Sequence, residues 1–270
     1  MNKSKETVKV KDFWENYSCG EKLYLNSLHK EGYANQSKIR YSLEPYILKF
    51  LKFDLANRSK ILEVGVGLGA DHQKIAEQGY EMYGIDLTQR AIDHTKNRFF
   101  QFHLKSNLSV CNAEKLNFQD DFFDAIYSWG VIHHSTYPEQ IISEIHRTLK
   151  KRGIAKIMIY HKYSIVMFML WLRYGLLKGK LFMSLLDISK KYLESPGTKV
   201  YTRKEVNNLF INFSKIKTNI VLSHADLLDS DVGQRHRGKL LKFAKFIWPR
   251  KLIRLFLCQF GLFMLITVEK

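Results

Sequence analysis

Read for its hydrophobic and polar positions, the chain alternates between short apolar runs and segments with apolar residues every three or four positions. Ile61–Val64, Tyr80–Asp86, Phe122–Trp129, Leu149–Ile159, Phe213–Leu222 and Phe260–Val268 read as strands. Between them lie helical patterns. Asp71 to Gln78 stops at Gly79, which suits a helix C-terminus. Thr88 to about Lys105 turns Ala91, Ile92, Thr95 and Phe99 inward, with Thr88 as N-cap. Pro138 to Lys150 opens on a first-turn proline and carries Ile141, Ile142, Ile145 and Leu149 at helical spacing. Tyr33 to Phe53 predicts helix broken at Pro45, with Tyr41, Tyr46, Ile47, Phe50 and Leu51 on one face. Strand alternating with helix predicts a parallel sheet with right-handed crossovers, and ligands bound at the strands' carboxyl ends.

The flanks follow other patterns. Residues 1–11 are polar and read as a solvated, frayed lead. Asp12 to Gly20 mixes Phe13, Trp14 and Tyr17 with turn residues, as a pocket wall or as plain core cover. Tyr163 to Leu177 is aromatic and aliphatic but too short to cross a bilayer, so it reads as a buried or interfacial helix. Thr202 followed by Glu205 predicts a capping box.

The central stretch is Lys60-Ile-Leu-Glu-Val-Gly-Val-Gly-Leu-Gly-Ala-Asp71: strand, glycine turn, helix. Glycine lets a backbone approach a ligand closely, because it has no side chain and tolerates positive φ. The spacing is G-x-G-x-G with Glu63 inside the strand, not the G-x-G-x-x-G of a dinucleotide site. This resembles motif I of the class I S-adenosylmethionine-dependent methyltransferases, of the broad type 11-like group. Further stretches follow in the family's order: Asp86 at the second strand end, Val110-Cys-Asn-Ala-Glu114, Gly130-Val-Ile-His-His134, and the turn into strand five. The resemblance covers roughly Ser59 to Tyr160. It implies a Rossmann-like seven-stranded α/β sheet, mostly parallel with the last strand antiparallel, flanked by helices. It further implies an N-terminal helical cap over residues 1–55, a core over 56–160, a helical insertion over 161–200, and closing strands over 201–270 with a basic amphipathic insertion at 223–259.

The resemblance also implies S-adenosylmethionine as cofactor. Gly65, Gly67 and Gly69 would cradle its amino acid part, and Glu63 would offset its ammonium. Asp86 would take two ribose hydroxyls, since a carboxylate offers two acceptor oxygens. Leu87 would pack on the adenine, and Asn112, Ala113 and Glu114 would read its edge. Asn112 stands where the family often has Asp. Arg40 and Tyr41 are candidates for the methionine carboxylate, and Ser128 and Trp129 for the wall after strand four. His133, His134, Tyr160 and His161 are the candidates for proton transfer or acceptor positioning. Two adjacent histidines with no third ligand at suitable local spacing predict no metal site.

Charge adds a question about the acceptor. The chain carries a formal net charge of +17, and no acid occurs from Val232 to Val268. Three acceptors remain open: a small molecule or glycan-type metabolite, a lipid or isoprenoid at an anionic membrane contacted through 235–257, and RNA, for which no binding module is visible. A binding protein without activity is the reading from another class, and the intact cofactor motifs oppose it. Cys19, Cys111 and Cys258 are scattered and odd in number, which predicts a reducing cytosol. The polar start shows no secretory signal.

Overall fold

The computed structural model describes residues 3–229 and 245–270. Seven strands form one sheet in the order β3-β2-β1-β4-β5-β7-β6. They are β1 Lys60–Val64, β2 Glu81–Asp86, β3 Asn107–Val110, β4 Phe123–Trp129, β5 Leu149–Tyr160, β6 Lys215–Val221 and β7 Phe263–Glu269. All neighbours pair in parallel except β7, which runs antiparallel to both β5 and β6. The expected topology is therefore present. Chain order runs outward from β1 to β3 in one direction and from β4 to β5 in the other, after which β7 inserts between β5 and β6. The carboxyl ends of β1 and β4, Val64 beside Ser128, border the crevice where such sheets bind ligands.

The central strands are apolar on both faces because both are covered. Ile61, Leu62, Phe123, Ala125 and Ile126 are completely buried. One face packs on α7 (Pro138–Thr148) through Ile141, Ile142 and Ile145, and on α10 (Arg203–Leu209) through Val206. The other packs on Tyr41, Ile47 and Leu51, which come from α3 (Lys30–Leu43), α4 (Tyr46–Phe50) and the residue after it, and on Ile75 of α5 (Ala70–Ala76). The break at Pro45 lies where the proline demands it. The helix α6 (Gln89–Gln101) starts at Thr88, whose hydroxyl accepts from Ala91 N at 3.3 Å. Both halves of the Thr202–Glu205 capping box are made.

The amino terminus differs from expectation. Of the segment 1–11 expected as a frayed lead, the described part from Lys3 is helical: α1 runs Lys3–Asn16. Val10 is buried, and Phe13 and Trp14 follow it at helical spacing, so the helix has one face to bury. Charge fastens it further. The Glu15 carboxylate accepts from Gln89 N (3.1 Å) and Arg90 N (3.0 Å) and so caps the amino end of α6. Glu21, in α2 (Glu21–Tyr24), holds the Arg90 guanidinium through Nε at 2.8 Å and through Nη2.

Beyond Tyr160 come α8 (Ile165–Tyr174), α9 (Leu185–Ile188) and a π turn over Ser189–Leu193. Between β6 and β7 come α11 (His224–Leu227) and α12 (Arg250–Phe256). Of the basic stretch expected to touch a membrane, Arg235, Arg237, Lys239, Lys242 and Phe243 lie outside the described residues. The described insertions meet at Asp226, which is fully buried. Its carboxylate accepts from Ser223 N, Ser223 Oγ and Leu262 N at 2.8 Å each, and from Val166 N at 3.2 Å. One side chain thus ties α11, α8 and the approach to β7. Asp226→Ala leaves three buried N–H groups without an acceptor. It is expected to lower unfolding free energy by roughly 3 kcal/mol in denaturant titration.

Candidate functional site

The glycine turn owes its shape to two constraints. Gly65 has φ 83°, and a Cβ there would lie 2.1 Å from Val131 Cγ2. Gly67 has φ 52°, and a Cβ there would meet nothing within 4 Å, so its backbone faces open space. That space is a cavity of about 360 Å³ at the carboxyl ends of the strands. Asp86 closes the turn from the next strand: Oδ2 accepts from Gly67 N (3.2 Å), and Oδ1 accepts from Thr88 N (3.0 Å) and Thr88 Oγ1 (2.8 Å). Burial raises the Asp86 carboxyl, and these donors oppose the rise.

Most expected site residues meet at this cavity. Arg40, Glu63, Gly65, Gly67, Gly69, Asp86, Leu87, Asn112, Ala113, Glu114, Trp129, His134 and Tyr160 all line it. Four others do not, for reasons of packing. The Tyr41 hydroxyl donates to Asp71 Oδ1 at 3.1 Å. Ser128 is completely buried and donates to Val64 O at 3.1 Å. The His161 ring bonds Gly261 O at 3.2 Å, away from the cavity. His133 is completely buried beneath Tyr160, its ring stacked at 3.8 Å between centroids. Arg40 reaches the cavity with one edge already committed. Its Nε and Nη2 pair with Asp71 at 2.9 and 2.6 Å. Of the expected aromatic walls, Phe13 and Trp14 line the cavity, and the Trp14 ring lies edge-on to His134. Tyr17 packs instead against Lys22 and Arg90.

Glu63 is buried and bonds His72 Nδ1 at 2.9 Å. Ser106 Oγ donates to Met82 O, so it accepts from His72 Nε2–H at 2.8 Å. One proton then remains for the Glu63–His72 contact. Burial lowers His72 to about 3; burial, then the nearby Asp71, raises Glu63 well above the carboxylate range. Both directions place the proton on Glu63.

The far end of the cavity holds groups that no local spacing revealed. Glu194 follows the π turn in the insertion after β5, and its Oε2 accepts from the Tyr160 hydroxyl at 2.7 Å. His134 Nε2 lies 3.4 Å from the same oxygen. His134 Nδ1 is held by Ser195 Oγ at 2.8 Å and Thr198 Oγ1 at 3.1 Å. Burial alone would raise the Glu194 carboxyl; the bonds from His134 and Tyr160 outweigh it and hold it below the ordinary value. A second acid–histidine pair, Glu44 with His224 Nδ1 at 2.8 Å, lines the same end, with Trp129, Leu262 and Phe263 as apolar neighbours. Cys19 opens onto the cavity.

The expectation that no third ligand accompanies the two histidines holds only along the sequence. Ligand atoms of His133, His134 and Glu194 lie within 4.8 Å of one another. The His134 and Glu194 atoms already form a hydrogen-bonded cluster with Tyr160, Ser195 and Thr198.

Residues 62–157 match the family model described as methyltransferase domain. The chain is 26% identical over 148 residues to the sterol 24-C-methyltransferase of Candida albicans, covering 54% of this chain and 38% of that protein. It is 29% identical over 104 residues to phosphoethanolamine N-methyltransferase 2 of Caenorhabditis elegans, covering 38% of this chain and 24% of that one. It is 26% identical over 121 residues to a ubiquinone biosynthesis O-methyltransferase of Coxiella burnetii, covering 44% and 52%. The chain thus spans about half or less of these relatives' lengths. In fold it is similar to a Haemonchus contortus phosphoethanolamine N-methyltransferase 2, with TM-score 0.59 and 15% identity, over 96% of this chain and 60% of that one. It is also similar to a structure of the Haloferax volcanii Trm112 activator with a methyltransferase, with TM-score 0.58 and 14% identity, over 93% and 98%.

His133 gives a test that separates packing from chemistry. Neither ring nitrogen has a hydrogen-bond partner among the described residues, and burial, then His134, lowers it well below 6.5. Above that value both folded and unfolded states are neutral. Below it the unfolded chain takes a proton that the folded one refuses, so stability falls as pH drops through 6.5 toward the folded value. His133→Phe keeps the stack on Tyr160 and removes the effect. Between about pH 7.5 and 5, its unfolding free energy should fall by about 2 kcal/mol less than that of the parent.

Proposed function

We propose that the chain, whose residues 62–157 belong to the methyltransferase-domain family, is an S-adenosylmethionine-dependent methyltransferase acting on a small amphipathic acceptor. One observation carries the reading: a single cavity joins the Gly65–Gly69 turn and Asp86 to the Tyr160–Glu194–His134 cluster. The residues fit the cofactor. The open space at Gly67 admits a ligand against the backbone, and Asp86 is held by its neighbours with both oxygens in fixed positions. When bound, S-adenosylmethionine supplies an electrophilic methyl group on a sulfonium.

The protein's own work is chiefly positioning, which can supply about 7–11 kcal/mol of a displacement barrier. Asp86 takes the ribose hydroxyls, and the Asn112–Glu114 loop reads the adenine edge. The Asn112 loop is itself fixed, since Glu114 N donates to Asn112 Oδ1 at 3.0 Å and Ser135 Oγ donates to Glu114 Oε1 at 2.6 Å. An ammonium beside Glu63 favours the carboxylate, so binding draws the shared proton onto His72. At the far end, Glu194 stands as an anion between Tyr160 and His134. It would orient the acceptor's nucleophilic atom and receive the proton that a hydroxyl loses on attack or that a protonated amine loses before it. The apolar walls from Trp129, Leu262 and Phe263 match an acceptor with a hydrophobic body.

Calorimetric titration with S-adenosylhomocysteine tests the cofactor half. Binding is expected, and Asp86→Ala should weaken it at least about tenfold, the equivalent of ~1.4 kcal/mol. Absence of binding in the parent protein sinks the reading. Glu194→Gln tests the acceptor half, once a methyl-accepting pool has been found by label transfer. It should leave S-adenosylhomocysteine affinity unchanged and cut turnover by about 100-fold.

A further inference from the structure

Fifteen of the 22 exposed large hydrophobic residues among the described residues come from two insertions, 161–200 and 245–262. The exposure is large: Phe182 102%, Phe246 87%, Leu255 71%, Phe256 68%. A protein exposes single apolar side chains freely, but rarely groups them.

Topology places both insertions at one end. The first leaves the carboxyl end of β5. The second leaves the carboxyl end of β6 and returns to the amino end of β7, which is antiparallel and so begins where the others finish. The two are joined as well as adjacent. Asp226 links α11 to Val166 at the start of α8. Trp248 Nε1 donates to Asp226 O at 2.9 Å, and Arg250 Nη2 donates to Leu228 O at 3.1 Å, which fastens α12 onto α11. This is also the end where the cavity lies, with Val166, Leu193, Ala225 and Leu262 in its wall.

Charge selects the occupant. Within the described residues of 161–200 and 222–262 the exposed cations include Lys178, Lys180, Lys190 and Lys251, and the exposed acids are Asp187 and Asp229, the second paired with Arg250 and Arg254. Aromatic and aliphatic side chains standing clear of the surface among lysines are what the boundary of an anionic bilayer accepts: ring and chain enter the acyl boundary, and ammonium groups stay with the phosphates. No described helix is long and apolar enough to cross a membrane, so contact is by surface insertion. We propose that the face built by α8, the 176–186 loop and α12 docks the protein on an anionic lipid surface, with the cavity at the docked end. The proposal stands apart from the methyl-transfer reading, because docking needs neither cofactor nor turnover.

The experiment is vesicle flotation of the full chain with phosphatidylcholine alone and with about one third phosphatidylserine. The expected result is strong binding to the anionic vesicles and weak binding to the neutral ones. Higher salt should weaken binding without abolishing it, since screening removes only the charge contribution. Phe182→Ser and Phe256→Ser, one in each insertion, should each weaken anionic binding about tenfold or more with the unfolding midpoint unchanged. Lack of anionic binding by the parent chain at low salt overturns the proposal. So does binding that neither substitution alters. Self-association of the parent that both substitutions abolish, without vesicle binding, would assign the face to a second copy and equally overturn it.

Discussion

The structure depends most on how one buried carboxylate is compensated. Asp71 begins the second residue of α5, directly after the glycine turn, and is 4% exposed. A carboxylate taken out of water costs several kcal/mol unless its lone pairs are filled. Here they are filled completely. Oδ1 accepts from Arg40 Nε and the Tyr41 hydroxyl; Oδ2 accepts from Arg40 Nη2 and, at 2.9 Å, the Tyr127 hydroxyl. The partners come from α3 and from β4. The helix after the turn, the cap over it and the central strand beneath it are thereby held in one register. The same arrangement fixes Arg40, whose Nε and Nη2 are held by Asp71 while the rest of the guanidinium borders the cavity.

The reach of the sequence follows from the range of the interactions that write it. The alternation of strands and helices, the turn at Gly65–Gly69 and the acid at Asp86 were legible because each is coded locally, by period, by glycine and by a fixed distance to the next strand, whereas the seven-stranded sheet followed from the family resemblance. The helix break at Pro45 and the Thr202–Glu205 box were legible for the same reason. The Ser223–Asp226 capping box has the same local form, though with Asp in place of Glu, and its role in joining the insertions is not local at all. Arg40 was visible as a cation near the site; that Asp71 already holds it was not.

The acceptor end was the part least legible. Glu194 and Glu44 belong to no motif, and they meet His134 and His224 only because the insertion after β5, the end of α3 and the segment after β6 converge. Along the sequence His133 and His134 stood alike as candidates for proton transfer or acceptor positioning. Alternation between core and cavity instead separates them, with His133 under Tyr160 and His134 facing inward. The amino-terminal helix was missed because a polar composition hides a narrow apolar stripe, and because the Glu15 contact that fixes it is made to α6, over seventy residues away.

The single antiparallel strand divides the labour of the sheet. The glycine turn, Asp86 and the Asn112–Glu114 loop lie at the carboxyl ends of β1 to β3, whereas the distal polar cluster hangs largely on segments flanking β5, β6 and β7. Because β7 starts at the end where β5 and β6 stop, the segment between β6 and β7 leaves the sheet and rejoins it at the same end. In engineering terms the molecule is a chassis with an exchangeable mouthpiece. On the proposed reading, segments 161–200 and 222–262 would be the unit to transplant when changing the acceptor, and the strand-one turn the part to leave alone.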